Sequence, residues 1–465
     1  MDSFFQKKWN ILKKINNPKG NLLFVDRGKY YQALILSIAV SAICKKNGLR
    51  PIILSDLKNE SEITKIYKSL GFNYFVHGYS KNNLFILIYY SIISSFLSIY
   101  IFIVTKIKGF KWFINSFFID DVPIGDLIYD LYIVQNKSYK KKNPNLLFFK
   151  DLFLSILRFY IVNFHIKKNK IKFIFCSTEF YSGNNGIAYR IAGIKGIKNL
   201  AAFHDSRDQL KIVRNSKHCF KFGPHSHFRN KEIKRVLKTT KFSKNQIEKF
   251  YLERKLFKTK NAVTVFTYKK ANKNTKYTNK FIKKLKNRKK KIVIFSCHAF
   301  SDANHAFGIK FPFTNFYNHL KETIEYIVKN NDEKYLWVIK SHPNSKSKDF
   351  IEIKNLIKKF KTNKIVLCPE NISTKKLIEI SEGVITSKGT MALEAICEGK
   401  FAVSCGFVHY SNFDIVNECS TKKEYFKTIK NLDKISKPTK EKILKAKKIL
   451  YILENDEINH EIINK

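Results

Sequence analysis

The chain has 465 residues, 44% of them hydrophobic, and a formal charge of +50 from 87 Lys and Arg against 37 Asp and Glu. That length exceeds one ordinary core and that apolar content excludes global disorder, so two domains of about 200 residues each are expected. The charge excess suits an anionic partner such as a membrane surface, a nucleotide, an acidic glycan or nucleic acid, although an AT-rich coding sequence also inflates Lys, Asn and Ile. The eight cysteines are scattered, with no CxxC pair, which argues for buried thiols in a reducing compartment and against a disulfide framework or a zinc site. MDSFFQKKWNILKKI lacks the continuous apolar stretch of a signal peptide, so a cytoplasmic protein is expected.

In chain order, Leu22–Val25 reads as a strand, Tyr30–Cys44 as a helix ending near Gly48, and Pro51–Leu54 as the next strand. That β–α–β unit starts a parallel sheet, with Gly28 in its first loop. Leu84–Thr105 is 22 residues without a charge, flanked by Lys81, Lys106, Lys108 and Lys111. Its length suits a membrane span, but Ser91, Ser94, Ser95 and Ser98 draw a small polar stripe down one face. A helix lying in a membrane interface fits this pattern, with a buried helix and a true span as the other readings. Residues 119–130, IDDVPIGDLIYD, place four carboxylates together, and Asp126 is both a candidate helix cap and a candidate acid–base group.

Ile171–Cys176 and Leu200–Phe203 read as further strands, each followed by a polar loop that carries Glu179 in one case and His204 and Asp205 in the other. Open α/β sheets bind ligands at that end of their strands, which makes these residues acid–base candidates. Charge dominates residues 231–291, taken as a basic linker that closes an N-terminal domain at 1–285. Ile292–Cys297 restarts a parallel sheet, and its loop holds His298, Asp302 and His305, a spacing unlike an ordinary zinc pattern. Leu336–Ile339 delivers Lys340-Ser341-His342-Pro343, and Gly383–Thr386 delivers Ser387-Lys388-Gly389-Thr390 ahead of a helix. Such a turn offers free backbone N–H groups to a phosphate. The second domain is expected at 286–435 and a final helix within 436–465, its start capped by Thr439.

FSCHAFSDANHAFG, LWVIKSHPN and GVITSKGTMALEAICEGK together resemble bacterial capsule and lipopolysaccharide glycosyltransferases, close to the retaining β-Kdo transferase-like surface-polysaccharide proteins. IDDVPIGDLIYD and FYSGNNGIAYR resemble the N-terminal half of such proteins, and the likeness covers most of residues 20–410. The resemblance implies the α/β GT-B architecture: two Rossmann-like domains facing across a cleft, with C-terminal helices crossing back. It implies a nucleotide-sugar donor, possibly CMP-linked, held by Lys340, His342, Ser387, Gly389, Thr390 and Glu394, the last on the ribose hydroxyls. The catalytic candidates are Glu179, Asp126, His298 and Asp302. It further implies a lipid-linked glycan acceptor at an anionic membrane surface, no metal, and no cofactor beyond the donor itself. Ser387-Lys388 departs from the Ser-Ser pair often found in cytidine-monophosphate users, and Asp120-Asp121-Val122 does not complete the acidic-acidic-Gly motif of bacterial sialyltransferases. The alternatives are a CDP-alditol phosphotransferase of teichoic-acid type and a non-catalytic polyanion-binding protein. No RNA-binding aromatic motif or zinc finger supports specific nucleic-acid binding.

Overall fold

The structure is a computed structural model and describes residues 17–25, 30–55, 65, 67–68, 72, 74–77, 84–176, 183–204, 210–214, 224–256, 275–305, 311–330, 333–343 and 347–454. The chain divides into two compact units, Met1–Pro224 and His225–Lys465.

The first unit is built on a six-stranded sheet of β1 (Gly20–Val25), β2 (Leu49–Ser55), β3 (Phe75–His77), β6 (Ile171–Cys176), β7 (Lys198–His204) and β8 (Leu210–Arg214). Their order in space is β3-β2-β1-β6-β7-β8, parallel except for β8, which runs antiparallel to β7. Strands β1 and β6 are apolar runs buried almost throughout, as a sheet covered on both faces requires. Helix α1 (Tyr30–Asn47) ends where Gly48 takes a φ of +62°, the left-handed conformation that glycine adopts without strain. Among the described residues, the unit's other helices are α2 (Leu84–Ser116), α3 (Gly125–Asn136), α4 (Leu146–Lys168) and α5 (Gly183–Ile194). Between α2 and α3, β4 (Phe118–Ile119) and β5 (Val122–Pro123) form a two-residue hairpin. Asp120 and Asp121 are its turn, at φ +47° and +62°, the geometry that Asp tolerates better than most side chains.

The second unit repeats the plan with β9 (Lys291–Ser296), β10 (Tyr335–Lys340), β11 (Ile365–Leu367), β12 (Gly383–Thr386), β13 (Phe401–Cys405) and β14 (Asn417–Cys419). The order is β11-β10-β9-β12-β13-β14 and every pair is parallel. In both sheets the chain builds outward from the first strand, then returns to its other side. That is the doubly wound order, so both expected Rossmann-like units are present.

The described residues of the segment expected as a basic linker are largely helical, and the segment falls in the second unit. Helices α6 (Pro224–Thr239), α7 (Lys244–Lys255) and α8 (Thr275–Lys286) send Ile233, Val236, Phe250, Tyr251 and Leu285 into the same core as Ile294, Val338 and Val384. The remaining helices are α9 (Phe316–Lys329), α10 (Ser347–Lys359), α11 (Thr374–Ile380), α12 (Met391–Cys397), α13 (Lys422–Lys430) and α14 (Lys440–Glu454). Thr439 Oγ1 accepts from Lys442 N at 3.3 Å, the cap anticipated there. Helix α14 lies against α7 and α12 of its own unit through Ala446, Ile449 and Leu450. The described cysteines are all buried and unbridged.

Candidate functional site

In the second sheet, β9 and β12 are neighbours at the point where the winding reverses. Open α/β sheets bind ligands at the carboxyl edge of the strands where the winding reverses. Three loops meet at that edge. Cys297 N donates to the Lys340 carbonyl at 2.9 Å, and Thr386 Oγ1 donates to the Ser296 carbonyl at 3.1 Å, which ties together the strand ends that carry His298, His342 and Ser387.

The His298 ring stacks on Phe316 at 4.4 Å between centroids and on His342 at 5.2 Å, with the ring planes of both pairs close to parallel. Phe316 opens α9, whose cap Asn315 accepts from Asn318 N at 2.8 Å. Asn304 braces the arrangement. Its Oδ1 accepts from Phe316 N at 2.8 Å and its carbonyl accepts from Lys388 Nζ at 2.7 Å. Lys388 thereby lies over the Phe316 ring, 5.7 Å from its centroid. Asp302 faces His298, with Oδ2 3.5 Å from Nδ1. That is too long for a hydrogen bond, and His298 Nδ1 is a buried atom with no hydrogen-bond partner.

Burial pushes His298 down to about 3, helped by the Lys388 charge. Burial also pushes His342 down to about 4, with His298 adding to the effect and Asp302 opposing it. Both rings are therefore neutral at pH 7, each with one N–H donor and one nitrogen acceptor. Loss of hydration raises Asp302 from its ordinary value, against the pull of the Ala303 N–H, His342 and Lys388. The cluster thus offers imidazole donors, a lysine cation and a carboxylate inclined to take a proton.

The other residues singled out from sequence sit elsewhere or are already engaged. The Lys340 ammonium is buried and donates to the Ile372 carbonyl at 3.1 Å, pinning the loop after β11. Gly389 N donates to Thr386 Oγ1 at 3.3 Å and its carbonyl accepts from Tyr410 Oη at 2.8 Å, so its N–H is engaged inside its own turn. Ser387 is buried, and Thr390 is exposed at the start of the short α12 with no side-chain cap. Glu394 takes Arg254 Nη2 at 2.8 Å, and Arg254 Nε reaches Glu454 at 2.6 Å. This carboxylate ties α12 to α7 and α14 through Arg254.

In the first unit Asp126 caps nothing. It forms a buried, two-pronged ion pair with Arg190 of α5, whose Nη1 also donates to the Pro123 carbonyl at 2.7 Å. Glu179, Gly28, Asp205 and the His204 side chain lie outside the described residues. Sequence reasoning passed over Lys388 and Phe316. Lys388 stood inside the quoted motif as the one cation of its loop, whereas nothing local in the sequence announces that Phe316 will carry a histidine. Among the described residues, no three His, Cys, Asp or Glu side chains group as metal ligands.

Residues 215–452, just over half the chain, match the family described as capsule polysaccharide biosynthesis protein. The chain belongs to this family. The matched span takes in β9 to β14 and the whole histidine cluster, and begins just after β8. None of the curated proteins matches the chain. Among solved structures it is similar to the UDP-GlcNAc 2-epimerase of Neisseria meningitidis bound to UDP-GlcNAc, at 10% identity and a TM-score of 0.32, over 94% of this chain and 99% of that one. It is also similar to the β-Kdo 2,4 transferase of Thermosulfurimonas dismutans KpsC, at 11% identity and 0.34, over 60% and 79%. For the β-Kdo 2,7 transferase of the same protein the values are 16% and 0.31, over 62% and 78%. At these scores the likenesses add nothing to the strand orders described above.

Proposed function

We propose that this capsule polysaccharide biosynthesis protein is a glycosyltransferase that draws its sugar from a nucleotide-linked donor at the carboxyl edge of the second sheet. One observation carries the reading. The stacked His298–His342 pair stands with Lys388 and Asp302 at the reversal between β9 and β12, and His298 Nδ1 is buried there without a partner. In the transfer, the bond from the anomeric carbon to the donor phosphate oxygen breaks, and a bond from that carbon to the acceptor oxygen forms. The departing phosphate gains negative charge. Lys388 can supply the opposing charge if it exchanges the Asn304 carbonyl for a phosphate oxygen, and imidazole N–H groups can donate to the same oxygens. The acceptor hydroxyl loses its proton, for which Asp302, raised by burial, is a suitable base.

The acceptor in this reading is a lipid-linked glycan on the cytoplasmic side of a membrane, in keeping with the family's part in capsule synthesis and with the exposed apolar face of α2. The charge of Lys388, where a serine would suit a monophosphate donor, keeps a CDP-alditol phosphotransferase as the second reading. Incubating the full chain with candidate donors tests both. Release of the nucleotide from a nucleotide sugar, lost in His342→Ala, supports the first. Release of CMP from CDP-glycerol or CDP-ribitol supports the second. Turnover of no donor, or equal turnover by His342→Ala, overturns the assignment of the site.

A further inference from the structure

Helix α2 is built inside out for a soluble unit. Ser94, Ser98, Ile101 and Thr105 are buried, while Phe85, Tyr89, Ile92, Phe96, Tyr100 and Ile103 stand on the opposite face, each at least 48% exposed. The spacing is strictly helical, so the two sets lie about 180° apart. The inward face is fixed along its length on α4: Tyr90 stacks on Tyr160 at 5.3 Å and Phe102 meets Phe149 at 5.5 Å. A contiguous apolar stripe of this size on a folded surface signals a partner.

The charges indicate which partner. Residues 84–116 contain no Asp or Glu, and Lys106, Lys108 and Lys111 are exposed at one end. Lys108 lies 5.3 Å from the centroid of Trp112, a residue type that favours the water–lipid boundary. At Gly109 the backbone leaves helical geometry with φ +79°, and the chain beyond turns inward to bury Phe110 and Phe113. The apolar stripe therefore ends at a basic collar.

We infer that the outer face of α2 is a docking surface for an anionic lipid bilayer, with the helix lying in the plane of the interface. A span is excluded by its packing partner. Helix α4 carries Lys150, Asp151, Arg158, Asn163 and His165, and drawing the packed pair into hydrocarbon would take these with it. The inference rests on the proposed work at a membrane-borne acceptor for its purpose, while its evidence is independent of the donor site.

Flotation of the full chain with vesicles tests it. The protein should rise with phosphatidylcholine vesicles that contain phosphatidylglycerol, much less with phosphatidylcholine alone, and should be released by alkaline carbonate. Phe96→Glu with Ile103→Glu, both at exposed positions, should lower the bound fraction at least about tenfold. Lys106, Lys108 and Lys111 all changed to Gln should weaken binding about a hundredfold at low salt. Unchanged circular dichroism in each variant separates these effects from misfolding. Wild type that stays down with both vesicles, or variants that float like wild type, would overturn the inference. Resistance to carbonate would overturn the in-plane geometry in favour of a span. A dimer that Phe96→Glu dissociates, without flotation, would replace the bilayer by a second copy. Nucleotide binding, measured on the same variants, should be unaltered, so its loss across all samples would count against the donor reading alone.

Discussion

His298, His319 and His342 in the second unit and His165 in the first are held unprotonated by burial, with folded values of about 3, 3, 4 and 4 against an ordinary 6.5. Because the folded values are depressed, the unfolded chain takes up protons first as pH falls. The stability linked to these rings is present above about 6.5 and is lost progressively down to about 4 for His342 and His165 and about 3 for His298 and His319. His319 packs among Phe295, Phe311, Phe313 and Tyr425, and its Nε2 is buried without a partner. His319→Phe should keep the fold and flatten the loss of stability between pH 6.5 and 4, read from urea midpoints at the two ends of that range. A slope equal to wild type would mean that the ring is solvated. Glu394 gives a second test at this scale. Removing it leaves Arg254 with only Glu454 of the pair it bridges, a change that costs about 3 kcal/mol or more when a buried pair is broken. Glu394→Ala should therefore lose stability while nucleotide affinity in the folded protein stays the same. A large fall in affinity without loss of stability would restore the ribose role. Sequence alone pointed at His298, Asp302 and His342 because they stand just past apolar strands. It could not tell that Glu394, Lys340 and Asp126 are engaged by Arg254, a backbone carbonyl and Arg190, since each of those partners is distant in sequence or unmarked by type.

At the scale of elements, long apolar runs were legible and short edge pieces were not. Residues Leu22–Val25, Ile171–Cys176, Leu336–Ile339 and Gly383–Thr386 all lie within observed strands, because buried parallel strands read as unbroken apolar runs. Strands β3, β11 and β14 have three residues each, too few for a periodicity to show, and the apolar run of β8 is broken by Lys211 and ends at Arg214. The helices of residues 224–286 look like linker because their outer faces carry most of the lysines. Their burial depends on a few apolar positions such as Ile233, Phe250 and Leu285. The helix at α3 starts where Gly125 approaches the chain end of α2 so closely that a Cβ would overlap the Phe113 carbonyl. Gly125→Ala should destabilise the first unit by about 3 kcal/mol, an overpacking cost against backbone that cannot yield. Denaturant unfolding checks this, and a change under about 0.5 kcal/mol, the size of a neutral surface substitution, would contradict it.

For the molecule as a whole, the repeated strand order makes the second unit a doubly wound sheet in its own right, and residues 215–452 of the family match fall almost wholly within it. A ligand bound there should stabilise that unit and leave the first alone. In calorimetric unfolding, nucleotide at a hundred times its dissociation constant should add about 2.7 kcal/mol to the second unit's transition. A uniform rise of both transitions would contradict a site confined to the second unit. The two-unit plan was legible from β–α–β patterning, whereas the boundary was not, because a basic surface helix and a basic linker share one composition.

The most direct test is isothermal titration of the full chain with CMP, CDP, UDP and GDP, set beside His342→Ala and His298→Ala. One of these nucleotides should bind at one site per chain, and each substitution should weaken it by about tenfold or more, the loss of one hydrogen bond to a charged phosphate. Binding of none of the four, or binding that both alanine variants preserve in full, would contradict the placement of the donor at the histidine edge.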